Sequence, residues 1–347
     1  MDISVVIPTL NGRERLAACL DSLVERAPDV ETVVANGPSA DGTSGMVRDR
    51  DDVDVLVELD ERNVNVARNA GAARASGDII AFLGDELVVA EGWLDALRDR
   101  MPGVDSDPET ETGKQVATDG GASADEHSES DGDEKSEAAA DERPVGAFSG
   151  PTNRQLRAGL ATEEVETRRI KGRSVTYVNP RNVAFTQVAL NEIDGFDEYL
   201  EVGGARDAAH RLAATGYEVD WRPGMAVRFD PEHGPSTRAD GGEEAEWRWR
   251  YRSLAYRLAK NYGPRPTVAY RVCRHALDDA WTGLREVGRG EGRPSVWLGN
   301  GRDVALGMGR GLADGIRARY RDRDPRRNPN GLSSRTNRAV TVFDRRG

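Results

Sequence analysis

The 347-residue chain has only two cysteines, Cys19 and Cys273, and only four lysines, Lys114, Lys135, Lys171 and Lys260. Two thiols so far apart exclude a disulfide framework. Cys19 recurs with Leu16, Leu20 and Leu23 at helical spacing, which makes it a core residue. No run approaches the ~20 apolar residues that span a bilayer. The start, Met1-Asp2-Ile3, has no basic segment before its apolar one, and that apolar run stops at Pro8, unlike a secretory leader. The expectation is a chain that starts in the cytoplasm, at most peripheral at the inner face of the cell membrane. With lysine so scarce, arginine carries 44 of the 48 basic charges, and 60 Asp and Glu leave a net charge of −12. An acidic surplus with little lysine suits a salt-rich, halophilic cytoplasm, where screening makes dense surface charge tolerable. A GC-rich genome would also favour arginine over lysine, but it accounts less well for the aspartate.

The charge is unevenly placed. Residues 104–142 hold 14 acids and two lysines, with almost no large apolar side chain. Such a segment cannot bury enough surface to offset ordering entropy and is expected to be a disordered acidic insert. From about Trp247 the sign reverses, and residues 247–347 carry a net +14 together with four of the six tryptophans. The expected organisation is therefore a first half over 1–103, the insert over 104–142, a second half of the same domain over 143–240, a basic helical region over 241–325 and a loose tail over 326–347.

The first 100 residues carry the chemistry. Ile3 to Ile7 form a short apolar strand that stops at Pro8 and opens into the polar turn Thr9-Leu10-Asn11-Gly12. A helical pattern follows, then a second strand, Val30 to Val34, which ends in Asn36-Gly37-Pro38-Ser39-Ala40-Asp41-Gly42-Thr43. A third, Asp78 to Leu83, is fully apolar after its first residue and ends on Gly84-Asp85-Glu86. In open parallel sheets ligands bind at the carboxyl ends of strands, and here all three ends are polar or acidic. Further along, Pro144 to Phe148 and Val175 to Asn179 read as strands, Thr186 to Ile193 and Asp207 to Thr215 as helices, the latter stopped by Gly216, and Tyr217 to Trp221 as another strand.

These motifs, with Asn63-Val64-Asn65-Val66-Ala67-Arg68-Asn69-Ala70-Gly71, Asn182-Val183-Ala184-Phe185, Ile193-Asp194-Gly195-Phe196-Asp197-Glu198 and Arg211-Leu212, come in the order seen in family 2 glycosyltransferases. The chain resembles that family over residues 3–100 and 145–230, in a haloarchaeal form. The resemblance implies an α/β chain with the three-layer nucleotide-diphospho-sugar transferase (GT-A) fold, a mostly parallel central sheet and added C-terminal helices, with 1–103 as its nucleotide-sugar-binding half and 143–240 as its acceptor-side half. It implies an inverting transfer of sugar from a nucleotide-diphosphate sugar to a glycan or lipid-linked acceptor, in surface-glycan or glycoprotein assembly.

Such a transfer must hold the nucleotide, neutralise the leaving diphosphate, usually with Mg²⁺ or Mn²⁺ on carboxylates, and take a proton from the acceptor. By the resemblance, Thr9, Asn11, Asn36, Arg68 and Asp85 hold the nucleotide sugar, and Asp85 and Glu86 hold the metal. Asn11 and Asn36 are also residues that a turn alone would call for. The family's acid at the second strand end is replaced by Ala35-Asn36, and one acid of the metal motif by Gly84. The base is the weakest match. The positions that carry acids in the family hold Gly204 and Ala205, and Asp207, one helical turn before Arg211, is the nearest substitute. It could equally serve the helix dipole. His210, Glu201 and Asp197 are further candidates.

In the basic region, Tyr251, Leu254, Ala255, Leu258 and Tyr262 follow helical spacing, as do Val304, Met308, Leu312, Ile316 and Tyr320. Basic amphipathic helices with aromatics suit an anionic membrane surface; the alternative is packing on the catalytic domain. Gly307, Gly309, Gly311 and Gly315 are expected to weaken the second helix. No nucleic-acid module is present. Two rival functions remain: a non-catalytic family member that binds a nucleotide sugar or a protein partner, and a nucleotidyltransferase, although the Gly-rich Arg-Lys loop expected for a triphosphate is missing.

Overall fold

Alternation in the first strand already divides the molecule into layers. Ile3, Val5 and Ile7 pack into one buried cluster, and Val6, between them, packs into another, because successive strand side chains face opposite ways. Both faces of the sheet are therefore covered, as expected of parallel strands. The computed structural model describes residues 1–99, 143–156, 159–162, 166–170, 172–230, 243–289 and 294–346. The acidic insert expected over 104–142 lies outside these.

In chain order the first half holds β1 (Ile3–Thr9), α1 (Arg13–Arg26), β2 (Glu31–Asn36), α2 (Thr43–Arg48), β3 (Val55–Leu59), α3 (Val64–Ala72), β4 (Ile79–Leu83), β5 (Leu87–Val89) and α4 (Trp93–Arg98). The second half holds β6 (Val145–Ser149), β7 (Thr152–Leu156), β8 (Gly159–Thr162), β9 (Glu166–Ile170), β10 (Arg173–Tyr177), β11 (Asn182–Thr186), α5 (Gln187–Glu192), α6 (Gly204–Thr215), β12 (Glu218–Trp221) and β13 (Val227–Phe229). Three long helices follow, α7 (Glu243–Tyr262), α8 (Pro266–Gly288) and α9 (Pro294–Arg321), and the chain closes with β14 (Ala339–Asp344).

Eight strands form the central sheet in the order β12-β6-β11-β4-β1-β2-β3-β14. The core β4-β1-β2-β3 is parallel, β11 runs antiparallel between β4 and β6, and β14 runs antiparallel on β3. In this register Thr9 of β1 stands beside Asn36 of β2, and Asn182 of β11 stands beside Leu83 of β4. The polar strand ends are thereby gathered at one edge. The expected strand Val175–Asn179 is β10, which pairs with β9 in a separate hairpin. Cys19 is fully buried in the α1 core.

Two expectations are corrected. The residues read as a loose tail over 326–347 are tied down. Besides β14 on the sheet edge, Asn328 Nδ2 donates to the Asp194 carbonyl at 2.8 Å, and Arg338 and Arg335 both pair with Glu198. The charged residues that look like a solvated tail are partners for acids of the core. Secondly, the glycines of α9 make a seam. Gly307, Gly311 and Gly315 lie against the backbone of Arg248, Arg252 and Tyr256 on α7, where any Cβ would strike a carbonyl oxygen, at 2.5 Å in the case of Gly315. Their low helix propensity is outweighed by the close approach they permit. Gly309, two residues from Gly307 and from Gly311, faces open space.

Candidate active site

The centre of the site is the end of β4. Asp85 and Glu86 are both about 6% exposed and lie just beyond the strand. Thr9, the last residue of β1, donates its hydroxyl to Asp85 Oδ2 at 2.6 Å. Arg15, on the first turn of α1, approaches the same oxygen at 3.4 Å. Gly12 caps α1 without a side-chain hydrogen bond, and a Cβ there would strike Asp85 Oδ2. The absence of a side chain at Gly12 therefore lets the helix start close over the carboxylate. Burial, followed by the hydrogen bond and charge of Glu86, pushes the Asp85 carboxyl up to about 7 against the opposing pull of Thr9 and Arg15. Two adjacent buried carboxylates, each raising the cost of ionising the other, are a place that a cation stabilises.

Glu86 pairs with Arg181 Nε at 3.1 Å. Arg181 reaches it because the antiparallel register of β11 on β4 brings the Arg181 carbonyl to the Gly84 amide, at 2.9 Å. A Cβ at Gly84 would approach Glu86 Oε2 and the Arg181 side chain to just over 3 Å. Arg181 thus stands close to where a third acid of the motif would point. Arg68, on α3, is 7% exposed and donates to Asn65 Oδ1 at 3.0 Å, with its guanidinium over the Phe196 ring. Burial, then the charge of Arg181, pushes its pKa down to about 10 against the attraction of Glu86, and its Nε has no hydrogen-bond partner.

Asn11 and Asn36 are brought to the same edge, but each is engaged in holding the turn after β2. The Asn11 amide donates to Ser39 Oγ, and its Oδ1 accepts from the Ala40 amide at 2.8 Å. Ser39 donates in turn to Asn36 Oδ1 at 2.7 Å, and Asn36 Nδ2 donates to Ser44. Asn11 adopts a left-handed conformation, φ 48°, at which asparagine is tolerated better than most residues.

Asp207 is corrected. It does not project into the site; its side chain is wholly buried between α6 and α7. Its Oδ2 accepts from Arg211 Nε at 2.9 Å and Lys260 Nζ at 2.7 Å, and its Oδ1 from Asn261 Nδ2 at 2.8 Å. Burial would raise its pKa, but the Lys260 and Arg211 charges prevail and hold it well below the usual carboxylate range. A carboxylate so occupied is a poor proton acceptor. Asp197 is closed in the same network, bound by Lys260 Nζ at 2.5 Å and by the Tyr256 hydroxyl at 2.8 Å. His210 is 2% exposed between Tyr177 and Tyr262, and burial, then the Arg257 charge, pushes its pKa down to about 3. Glu201 lies exposed on the loop before α6.

Reading along the chain misses Arg15, Arg181, Lys260 and Arg257. For Arg181 a usable sign exists: it immediately precedes the Asn182-Val183-Ala184-Phe185 strand. The others gain meaning only from helices packed across the sheet edge.

The sheet with its acidic strand end, covered by helices on both faces, is of the GT-A type. Residues 4–105 match the model of glycosyl transferase family 2. The chain is similar to the glycosyltransferase AglE of Haloferax volcanii, 30% identical over 100 residues, which are 27% of this chain and 33% of that protein. It is also similar to the pre-mycofactocin glycosyltransferase of Mycobacterium tuberculosis, 25% identical over 235 residues, which are 66% of this chain and 43% of that one. The chain therefore spans less than half the length of these curated relatives. Among solved structures, Staphylococcus aureus TarS 1–349 in complex with UDP-GlcNAc shares the fold, with a TM-score of 0.53 at 12% identity, over 92% of this chain and 91% of that one.

Proposed function

We propose that this protein is an inverting glycosyltransferase, which moves a sugar from a nucleotide-diphosphate sugar to a glycan or lipid-linked acceptor. The observation that carries this reading is the Asp85-Glu86 pair, buried at the end of β4 beside Thr9, within the segment that matches the family. The relatives named above are glycosyltransferases, and TarS 1–349 was solved with a nucleotide sugar.

Among the described residues there is no group of three or more His, Cys, Asp or Glu placed to hold a metal ion. Two carboxylates do suit Mg²⁺ or Mn²⁺, which take one or two carboxylates and fill the remaining positions with phosphate oxygens and water. Asp85 and Glu86 would hold the ion, and once bound it would neutralise the diphosphate as it leaves. Thr9 orients the Asp85 carboxylate through its hydroxyl, and Arg15 and Arg181 hold positive charge on either side of the pair. Arg68 lies close enough to Glu86 to feel its charge and has an unused Nε. Asn11, Asn36 and Ser39 fix the turn that walls the nucleotide side.

The test is thermal stabilisation by UDP-, GDP- and dTDP-sugars in molar KCl, with and without Mn²⁺, followed by a transfer assay. The expected result is metal-dependent stabilisation by one donor, strengthening as the pH rises through about 7 and Asp85 ionises, and lost in Asp85→Ala/Glu86→Ala. Unchanged transfer by that double variant would remove the metal assignment.

No helix among the described residues is long and apolar enough to cross a membrane. Peripheral contact through 241–325 is proposed on a different observation. Tyr270, Leu277, Trp281 and Leu284 are 43–69% exposed along one face of α8, with Arg274 exposed among them and Arg285 stacked on Trp281. Aromatic and apolar residues flanked by arginine suit an anionic lipid surface. Flotation with anionic liposomes should carry the protein in native salt, and Leu277→Glu/Trp281→Glu should abolish it. Absence of wild-type flotation would leave the stripe a purely protein surface.

A further inference from the structure

The acid pair at the end of β4 already has positive charge around it, and the arginines that supply this charge are held in different ways. Arg15 reaches Asp85 from the first turn of α1, beside the Thr9 hydroxyl. Arg68 is fixed in the core, over the Phe196 ring and bonded to Asn65. Arg181 differs from both. Its side chain is 47% exposed, whereas that of its partner Glu86 is 7% exposed. The contact between them, Nε to Oε1 at 3.1 Å, is an ion pair, and the Arg181 guanidinium makes no hydrogen bond among the described residues.

The backbone of Arg181, by contrast, is pinned. Its amide donates to Asn179 Oδ1 at 3.0 Å, and its carbonyl accepts from the Gly84 amide at 2.9 Å. Asn179 is itself tied down, donating from Nδ2 to Thr152 Oγ1 at 2.8 Å. A long, half-exposed side chain on a fixed backbone can change partner without disturbing the sheet. Gly84 leaves the space it uses: a Cβ there would press on the Arg181 Cβ at 3.2 Å and on Glu86 Oε2 at 3.1 Å. The place of the motif's third acid is thus given to a cationic side chain of the protein itself.

Glu86 cannot hold Arg181 and a divalent cation equally well, because two cations on one carboxylate repel each other. A diphosphate drawn up to the pair offers Arg181 a second anion, and a guanidinium matches phosphate oxygens in a fork. We propose that Arg181 is an exchangeable counter-ion, which closes Glu86 before the donor binds and passes to the donor's diphosphate when Glu86 takes up the cation. The inference rests on the glycosyl-transfer reading and deepens it. The exchange makes cation and nucleoside diphosphate depend on each other. Glu86, on accepting the cation, frees the arginine that the diphosphate uses; Arg181, on moving to the diphosphate, unblocks the carboxylate that the cation needs. Linkage requires the two effects to be equal. Arg68, repelled by Arg181 and attracted by Glu86, stays in place throughout.

The test measures binding to the full chain, in molar KCl, of Mn²⁺ alone, of UDP, GDP and dTDP alone, and of each with the other present. Loss of the free Mn²⁺ spin-resonance signal follows the cation, and calorimetry follows the nucleotide. On the wild type each ligand should strengthen the other. On Arg181→Met, Mn²⁺ alone should bind about tenfold tighter than on the wild type, the diphosphate alone about tenfold weaker, and the mutual strengthening should shrink. Arg181→Lys, which keeps the charge, should lie between the two. Structural damage would weaken the cation site, so a gain in cation affinity separates exchange from a merely structural role, and melting curves check that each variant folds. An Arg181→Met protein that melts like the wild type but binds Mn²⁺ alone no more tightly, or keeps its full affinity for the diphosphate, would overturn the proposal and leave the glycosyltransferase reading intact. A wild type that binds no nucleoside diphosphate with Mn²⁺ present would defeat that reading, and this proposal with it.

Discussion

Replacing Lys260 by methionine would test whether α7 is joined to the sheet domain by charge. Its ammonium is wholly buried and bridges Asp197 Oδ2 at 2.5 Å and Asp207 Oδ2 at 2.7 Å. Methionine keeps most of the volume, so little cavity forms, but both carboxylates lose their shared cation. Asp207 retains Arg211 and Asn261, while Asp197 keeps only the neutral Tyr256 and Asn330 donors and the Tyr199 amide. Removing one partner of a buried ion pair costs about 3–5 kcal/mol. At roughly 2–4 °C per kcal/mol for a protein of this size class, the melting temperature should fall by on the order of 10 °C. The pH dependence provides the sharper check. In the wild type Asp207 is held below its ordinary pKa, so its contribution is full above the unfolded value of about 3.9 and is lost as the pH falls below it. In the variant, the burial of Asp207 is no longer opposed by Lys260, that carboxylate accepts a proton more readily, and acidification helps the folded state. The gap between the two proteins should therefore narrow as the pH is lowered from 7 to 4. Calorimetry across this range, in low and in molar KCl, would measure it, and salt should change it little because the pair is screened from solvent. A loss under about 1 kcal/mol, or one independent of pH, would refute the reasoning.

Two further outcomes follow from the packing. Gly311→Ala puts a methyl group against the Arg252 carbonyl and should cost about 1–3 kcal/mol by overpacking, while Gly309→Ala, in open space, should stabilise the helix by up to ~1 kcal/mol; thermal melts of the pair would separate packing from propensity. Ending the chain after Arg338 uncovers the edge of β3, along which Ala339–Asp344 pair, and should produce concentration-dependent aggregation seen by light scattering; a monodisperse truncated protein would contradict this.

The elements that form the site edge are readable because their causes are local. β1, β2 and β4 announce themselves by apolar runs, and their polar ends by Pro8, Gly37-Pro38 and Gly84. The Thr9–Asp85 contact follows once β1 and β4 are taken as parallel neighbours. Asp207 misleads for a physical reason: a carboxylate one turn before Arg211 looks the same whether it faces a substrate or a lysine 53 residues further on. The α9 glycines mislead similarly, since propensity is a property of one helix and their role belongs to two. The strand β14 does carry a local sign, the alternation Val340-Thr341-Val342, but the Arg-, Asn- and Pro-rich stretch before it obscures it. Arg257 gives no sign of its burial along the chain, because the missing hydrogen-bond partner of its Nε is a fact of three-dimensional packing alone.

The pairing of β14 with β3 also bears on how the molecule is made. Val55–Leu59 emerge early, and their partner on this edge is synthesised about 280 residues later. At ~5–20 residues per second, that edge waits roughly 15–60 s for its closing strand. During that time Val55, Val57 and Leu59 are on a sheet whose outer strand has no neighbour, and any similar strand nearby could take the place. The nascent protein is thus most open to wrong pairing on the side away from its own chemistry, and the final residues act as the latch that ends this interval.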